Sequence, residues 1–86
     1  MKYKEMIEWI KEEFKATGFD VICTPMNSKT FIHIQNVDRK RIRFTLYKEE
    51  EPYGKLTTFY KGLKIETRFS TEEEYDAVID LAYAML

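Results

Sequence analysis

Hydrophobic and polar positions divide this chain into two helical segments that flank an alternating middle. Near each end, apolar residues recur every three or four positions, which on a 3.6-residue period makes one narrow stripe. This spacing predicts a first helix over residues 2 to 17, ended by Gly18 in a left-handed conformation, and a second helix over residues 71 to 86. Ser70 and Glu73 have the spacing of a capping box at the start of the second helix.

Between the helices the hydrophobic period changes to two, which indicates β-strands. The alternating runs cover residues 19 to 25, 30 to 36, 40 to 47, 56 to 60 and 63 to 69. The first run is short and Pro25 interrupts it, so we expect four or five strands. A polar loop is expected over residues 48 to 54, and Lys61 and Gly62 are expected to form a two-residue hairpin turn.

The hydrophobic pattern also predicts how the central strands pair. A three-residue connection at residues 37 to 39 sets Ile34 opposite Ile42, whereas a two-residue connection would set Ile34 opposite Arg41. Because only the first choice keeps apolar residues on one face, we expect the three-residue connection and the register that follows from it.

This order of elements predicts an α+β fold. We expect a two-layer sandwich made of a helix, an antiparallel meander of four or five strands and a second helix, with both helices on one face of the sheet. A chain of this size buries only about 60 to 65% of its unfolded surface, which is enough for one core. Residues 1 to 86 are therefore expected to form a single domain.

Composition narrows the class of protein. A hydrophobic content of 44%, with six Phe and six Tyr, is far above that of a disordered chain. The longest apolar stretch near the C-terminus, residues 77 to 86, falls short of the ~20 residues that a membrane span needs, and the charged N-terminal segment does not resemble a secretory signal. With one cysteine and hence no intramolecular disulfide, we expect a cytoplasmic protein that makes no membrane contact.

Few residues are candidates for catalysis or metal binding. A turn at residues 26 to 29 would pair Cys23 with Ile32 and Ile22 with His33, so the only thiol and the only imidazole would point to opposite faces of the sheet. A Cys/His dyad is therefore not expected, and one Cys with one His cannot supply a zinc site. Three scattered glycines form no phosphate-binding loop. We expect a non-enzymatic protein that uses no metal and no cofactor.

Charge is segregated along the chain, although its formal net value is only -1. Residues 39 to 68 contain nine Lys or Arg against four Glu, a net of +5, whereas residues 69 to 86 contain five acids and no Lys or Arg, a net of -5. The sheet is therefore expected to be basic and the last helix acidic.

The alternation also predicts which residues face away from the helices. There, aromatic and cationic side chains are interleaved, as single-stranded nucleic acid binding requires, because bases stack on rings while cations contact phosphates. An acidic protein surface would be attracted to the same face. The predicted partner-binding residues are Phe31, His33, Arg41, Arg43, Tyr47, Phe59, Lys64 and Arg68.

Three other interpretations fit the same pattern. The face is either an ordinary solvated sheet surface or a self-association surface in which Phe31, Tyr47 and Phe59 are buried in a homodimer. Alternatively, the protein is a small inhibitor, of a kind that phages and mobile elements encode, which blocks a basic site on a target with its acidic surfaces. The acidic candidates are Glu49, Glu50, Glu51, Glu72, Glu73, Glu74 and Asp76.

Overall fold

A computed structural model describes residues 1 to 86. The elements in chain order are α1 Tyr3–Ala16, β1 Asp20–Pro25, β2 Lys29–Gln35, β3 Arg41–Tyr47, β4 Tyr53–Tyr60, β5 Leu63–Phe69 and α2 Glu72–Met85. All five strands pair antiparallel in the order β1-β2-β3-β4-β5, and both helices pack on one face of this meander. The predicted two-layer α+β fold is confirmed, and its first strand is present.

The register of the central strands is the predicted one. Ile34 lies opposite Ile42, and Ile32 lies opposite Phe44. Asn36 closes the connection: its backbone N–H donates to the Lys40 carbonyl at 3.0 Å, and its side-chain Oδ1 accepts from the backbone N–H of Lys40 at 2.9 Å. Asparagine at this position thus stabilises the odd-length connection that the hydrophobic pattern requires.

Strand β4 begins at Tyr53, three residues before the predicted start. The charged run and Gly54 indicated a loop, but Gly54 is a buried strand residue that pairs with Phe69. A β-carbon at position 54 would lie 2.7 Å from Leu46 Cδ2 and 2.8 Å from Phe69 Cε1. Glycine is required here because the Phe69 ring occupies the space of a side chain.

The capping box of α2 was predicted one residue too early. Thr71, rather than Ser70, is the N-cap, and its hydroxyl accepts from the backbone N–H of Glu74 at 3.2 Å. Glu74, rather than Glu73, completes the box, since its Oε1 accepts from the backbone N–H of Thr71 at 3.1 Å. Both pairs have the required spacing, and the first turn of the helix selects the second pair.

The core lies between the sheet and the helices and is organised around Phe14 of α1. The Phe14 ring lies 5.8 Å from that of Phe44 on β3 and 5.0 Å from that of Tyr83 on α2. Tyr83 also donates its hydroxyl to Glu13 Oε2 at 2.7 Å. Partial burial and this hydrogen bond raise the pKa of Tyr83. One buried ring therefore joins both helices to the sheet.

No helix of the protein combines the length and apolar character that crossing a membrane would need.

Replacing Glu74 by Gln should make stability less dependent on pH in the acidic range. Hydrogen bonds from Ser70 and Thr71 lower the pKa of the Glu74 carboxyl below its usual 4.5. A carboxyl whose pKa is lower in the folded state contributes stability that is present above its unfolded pKa and is lost as the pH falls through its folded pKa. Melting temperatures measured by circular dichroism between neutral and acidic pH should therefore fall less for Glu74→Gln than for the unmodified protein. Glu73→Gln, in the same turn but outside the cap, is the control and should keep the original profile.

Candidate functional site

The residues predicted to bind a partner all lie on the sheet face opposite the helices. The strand pairing arranges them in rows across the sheet, for example His33 beside Arg43, and Phe59 beside Lys64. Each of the strands β2 to β5 contributes to this surface, which we call the outer face. It comprises Lys29, Phe31, His33, Gln35, Arg41, Arg43, Thr45, Tyr47, Tyr53, Lys55, Thr57, Phe59, Lys64, Glu66 and Arg68.

At the end of the outer face where β3 finishes, the aromatic rings are already packed. Tyr47 stacks on Tyr53 with ring centroids 4.6 Å apart and 16° between the planes. The Arg68 guanidinium lies 3.8 Å from the centroid of the Tyr53 ring, and Lys55 Nζ lies 5.7 Å from that of Tyr47. Tyr47 thus has one ring face occupied by Tyr53, and Arg68, although exposed, is held over the Tyr53 ring.

Tyr53 is a residue of the outer face that the sequence prediction missed. It falls in the segment predicted as a loop, although Tyr53, Lys55 and Thr57 continue the alternation of the strand in the N-terminal direction. Extending the two-residue alternation through Gly54 would have placed Tyr53 on this face.

Phe31 is flanked by two cations. Lys29 Nζ lies 5.1 Å, and the Arg43 guanidinium carbon 5.3 Å, from the centroid of its ring. Beside this cluster, Thr57 is fully buried although it belongs to the outer face, and its hydroxyl has no hydrogen-bond partner. Its neighbour across the ladder, Arg43, also has a buried Nε without a partner. The middle of the outer face is therefore a packed layer of side chains with two unpaired polar groups.

Beyond this layer the sheet opens. Pairing between β3 and β4 ends at Arg43 and Thr57, whereas pairing between β4 and β5 continues to Tyr60 and Leu63. A depression of about 470 Å³ lies beside the unpaired end of β4, and we call it the basic cleft. Its lining residues are Arg39, Lys40, Arg41, Phe59, Tyr60, Lys61, Ala84 and Met85.

The electrostatics of the basic cleft are one-sided. The protein has two ion pairs, Lys11 with Glu8 and Lys64 with Glu66. None of the four cationic residues of the cleft therefore has a carboxylate within 4.0 Å. Phe59 at the rim is 61% exposed, which makes it the most accessible aromatic ring of the predicted set. The cleft thus combines unpaired positive charge with an accessible ring.

The cleft continues across the outer face toward β1. Two further depressions are each lined by both His33 and Arg41, and the first also includes Phe59. The second reaches Ile22 of β1, which is 63% exposed, and Asp20, which is its only acidic residue. Among the predicted residues, His33, Arg41, Arg43 and Phe59 therefore lie together, whereas Lys64 is paired with Glu66 and Phe31 is covered by cations.

Part of the acidic set lies away from the basic cleft. Glu50 and Glu51 line a depression that also includes the cation Arg68 and, just before α2, Ser70. Glu72 and Glu73 are exposed in the first turn of that helix. Glu74 is engaged in the capping box. The acidic depression therefore contains one positive charge, whereas the basic cleft contains no acidic residue.

The residues of reactive chemistry remain apart. Cys23 lies opposite Ile32 and His33 opposite Ile22, as predicted, so the thiol points toward the helices and the imidazole toward the outer face. No group of three or more His, Cys, Asp or Glu side chains is arranged to hold a metal ion. Comparisons with protein-family models, curated proteins and solved structures found no match to this chain.

Replacing Thr57 by Val should stabilise the protein. Valine has the same shape and removes a buried hydroxyl that has no partner, so the free energy of unfolding should rise by about 1 kcal/mol. Thr30→Val is the matched control, because the equally buried Thr30 hydroxyl is hydrogen-bonded to that of Tyr3. This control should lose about 1 kcal/mol in urea denaturation. Equal effects of the two substitutions would contradict the assignment of Thr57 as the unpaired group.

Proposed function

We propose that this protein is a non-enzymatic binding module that docks single-stranded nucleic acid on its outer face, with the basic cleft as the main contact. The observation that carries this proposal is the combination of four unpaired cations with the exposed ring of Phe59. Lys61 lies over the Tyr60 ring, with its Nζ 5.3 Å from the ring centroid, and none of the four cations has a carboxylate partner. Their charges can therefore contact phosphates, and an accessible ring offers a base a surface to stack on.

The geometry of the sheet supports an extended strand rather than a duplex. The basic cleft lies at the end of the sheet, where Ala84 and Met85 of α2 complete its lining. The two depressions beside it lead from the cleft onto the outer face toward β1, joined by Arg41 and His33. A single strand with splayed bases fits a flat, continuous surface of this kind, whereas a double helix hides its base faces. Phosphate contacts and stacking of this kind carry little sequence information, so we expect weak sequence preference.

The charge contribution can be tested with the double variant Arg41→Glu/Arg43→Glu. Anisotropy of labelled single-stranded DNA and RNA, titrated with the protein at low and moderate salt, should show binding that weakens as salt rises, because counterions are released. The double variant should abolish this binding. Lys4→Glu/Lys15→Glu makes the same change of charge on exposed positions of α1 and should bind like the original protein.

Trp9 emission reports folding in the same titrations, since its ring packs against that of Tyr75 at 5.6 Å. Absence of binding to either nucleic acid at low salt would reject the nucleic-acid proposal. Equal losses in the α1 control would show that net charge, rather than the outer face, controls binding.

The stacking contribution can be tested at Phe59. Phe59→Ala should weaken binding roughly tenfold or more, because stacking of one base contributes about 1 to 3 kcal/mol. The same change at Tyr47 should have a smaller effect, since that ring already stacks on Tyr53. A loss at Tyr47 equal to or greater than that at Phe59 would place the contact at the opposite end of the face.

A second candidate function is inhibition of a target protein through the acidic end. It is favoured by the convergence of Glu50 and Glu51 with the start of α2 around one depression. Under this alternative, Glu50→Lys/Glu51→Lys should abolish capture of a basic target, whereas Arg41→Glu/Arg43→Glu should leave it intact. The two double variants therefore give opposite results for the two functions, and a pull-down compared with the anisotropy assay separates them.

A further inference from the structure

Strand β5 is an open edge of the sheet. It pairs only with β4, from Gly54 opposite Phe69 to Tyr60 opposite Leu63. In a hairpin with a two-residue turn, the residues that flank the turn form a hydrogen-bonded pair, so alternate residues from Leu63 onward bond to β4. The backbone groups of Lys64, Glu66 and Arg68 therefore point outward, and none of them takes part in the hydrogen bonds outside the ladders.

An apolar row lies on the helix side of this edge. Leu63 is 68% and Ile65 43% exposed, although both belong to the face of the sheet that the helices cover elsewhere. Leu81 of α2 is exposed as well. Tyr83 contacts α1 and follows Leu81 by two residues, which is a rotation of about 200° around the helix axis. Leu81 therefore lies on the flank of α2 that faces away from α1. The helices thus leave the first residues of the outermost strand uncovered, whereas Phe69 at its end is buried.

The charges of β5 distinguish among the registers in which it can pair with β5 of a second copy of the chain. A two-fold axis perpendicular to the sheet keeps the helices of both copies on one side, and residues that are opposed must then face the same way. Centred on Ile65, this pairing sets Lys64 opposite Glu66 twice and Ile65 against its equivalent. Centred on Glu66, it sets Glu66 against itself and Lys64 opposite Arg68. Because like charges directly opposed are destabilising, the second register is disfavoured.

A register centred on Thr67 is also compatible with charge, since it sets Glu66 opposite Arg68. It opposes Ile65 to Phe69, which is already buried within its own chain, and leaves Leu63 uncovered. Only the register centred on Ile65 combines opposite charges with burial of the apolar row.

The other edge of the sheet has different properties. Strand β1 ends in Pro25, which has no N–H to donate, and its residues Val21 and Cys23 are already packed against the core under α1. An additional strand there would gain fewer hydrogen bonds, and on the helix side it would cover little new apolar surface, since the exposed Ile22 lies on the outer face.

We propose that a second copy of this chain pairs with β5 in the register centred on Ile65, which makes a homodimer with one continuous sheet. Lys64 and Glu66 of the two copies exchange backbone hydrogen bonds and form reciprocal charge pairs, and the apolar rows meet at the two-fold axis. This dimer is independent of the proposed nucleic-acid function, because it uses the edge of the sheet rather than the basic cleft.

The test is charge reversal with restoration, measured as molecular mass by sedimentation velocity. Lys64→Glu and Glu66→Lys each oppose like charges in this register, and each should raise the dimer dissociation constant about tenfold or more. An equimolar mixture of the two single variants restores every opposite pair and should recover the dimer. The double variant Lys64→Glu/Glu66→Lys should recover it as well.

One further variant and one measurement exclude trivial explanations. Lys15→Glu on α1 makes an equivalent change of charge away from the edge and should leave the mass unchanged. Circular dichroism should give the same spectrum for every variant, since Lys64 and Glu66 are exposed. The proposal would be overturned by a monomeric parent protein at every accessible concentration, by a dimer that both single variants retain, or by a mass that grows beyond two copies. Loss of the dimer by Glu66→Lys alone would indicate the register centred on Thr67 and would likewise overturn it.

Discussion

The packing of Phe14 against Phe44 and Tyr83 is the contact on which the rest of the structure depends. A chain of this size has room for only one thin core, and its two helices approach the sheet from separate ends of the sequence. Phe14 is fully buried and joins α1, β3 and α2 through ring contacts. Each helix also buries residues of its own, Met6 and Ile10 on α1 and Val78 and Ala82 on α2, and Phe14 joins these groups into one core.

The limited cover of the helices explains where the protein presents unusual surface. The core includes only Phe69 at the end of the last strand, which leaves Leu63 and Ile65 open on the helix side of β5. At the same end of the sheet, pairing between β3 and β4 stops at Arg43 and Thr57. The basic cleft lies where these two strands separate. Both the candidate binding site and the candidate dimer edge thus arise where the small core no longer organises the sheet.

Most of the fold could be predicted from hydrophobic periodicity alone. The register that sets Ile34 opposite Ile42 followed from the requirement that apolar residues share one face, and Asn36 shows how the connection meets it. The start of β4 was missed because Gly54 was taken as a loop residue, although the alternation continues through it to Tyr53. Only the position of the Phe69 ring explains why this strand residue is glycine. The cap of α2 was displaced for a similar reason, since Ser70 and Thr71 offer equivalent spacings and only the geometry of the first turn decides between them.

The sequence predicted which face of the sheet carries the candidate residues, but not which of them lie together in one site. Alternation assigned the predicted residues to the outer face, yet it could not show that Tyr47 would stack on Tyr53 or that Lys64 would pair with Glu66. Those contacts depend on the conformations that long side chains adopt across neighbouring strands. The pattern of residues along the chain does not reveal these conformations. The cleft itself results from the end of a strand ladder, which is a property of the twisted sheet rather than of any motif.

The uneven placement of charge has a kinetic consequence. Four cations without an ion-pair partner line the basic cleft, whereas α2 contains five acidic residues and no Lys or Arg, although the net charge of the chain is only -1. A polyanion would attract the cleft and repel α2, so under the proposed nucleic-acid function the first encounters would favour the cleft. Steering of this kind acts before contact and requires no large net positive charge.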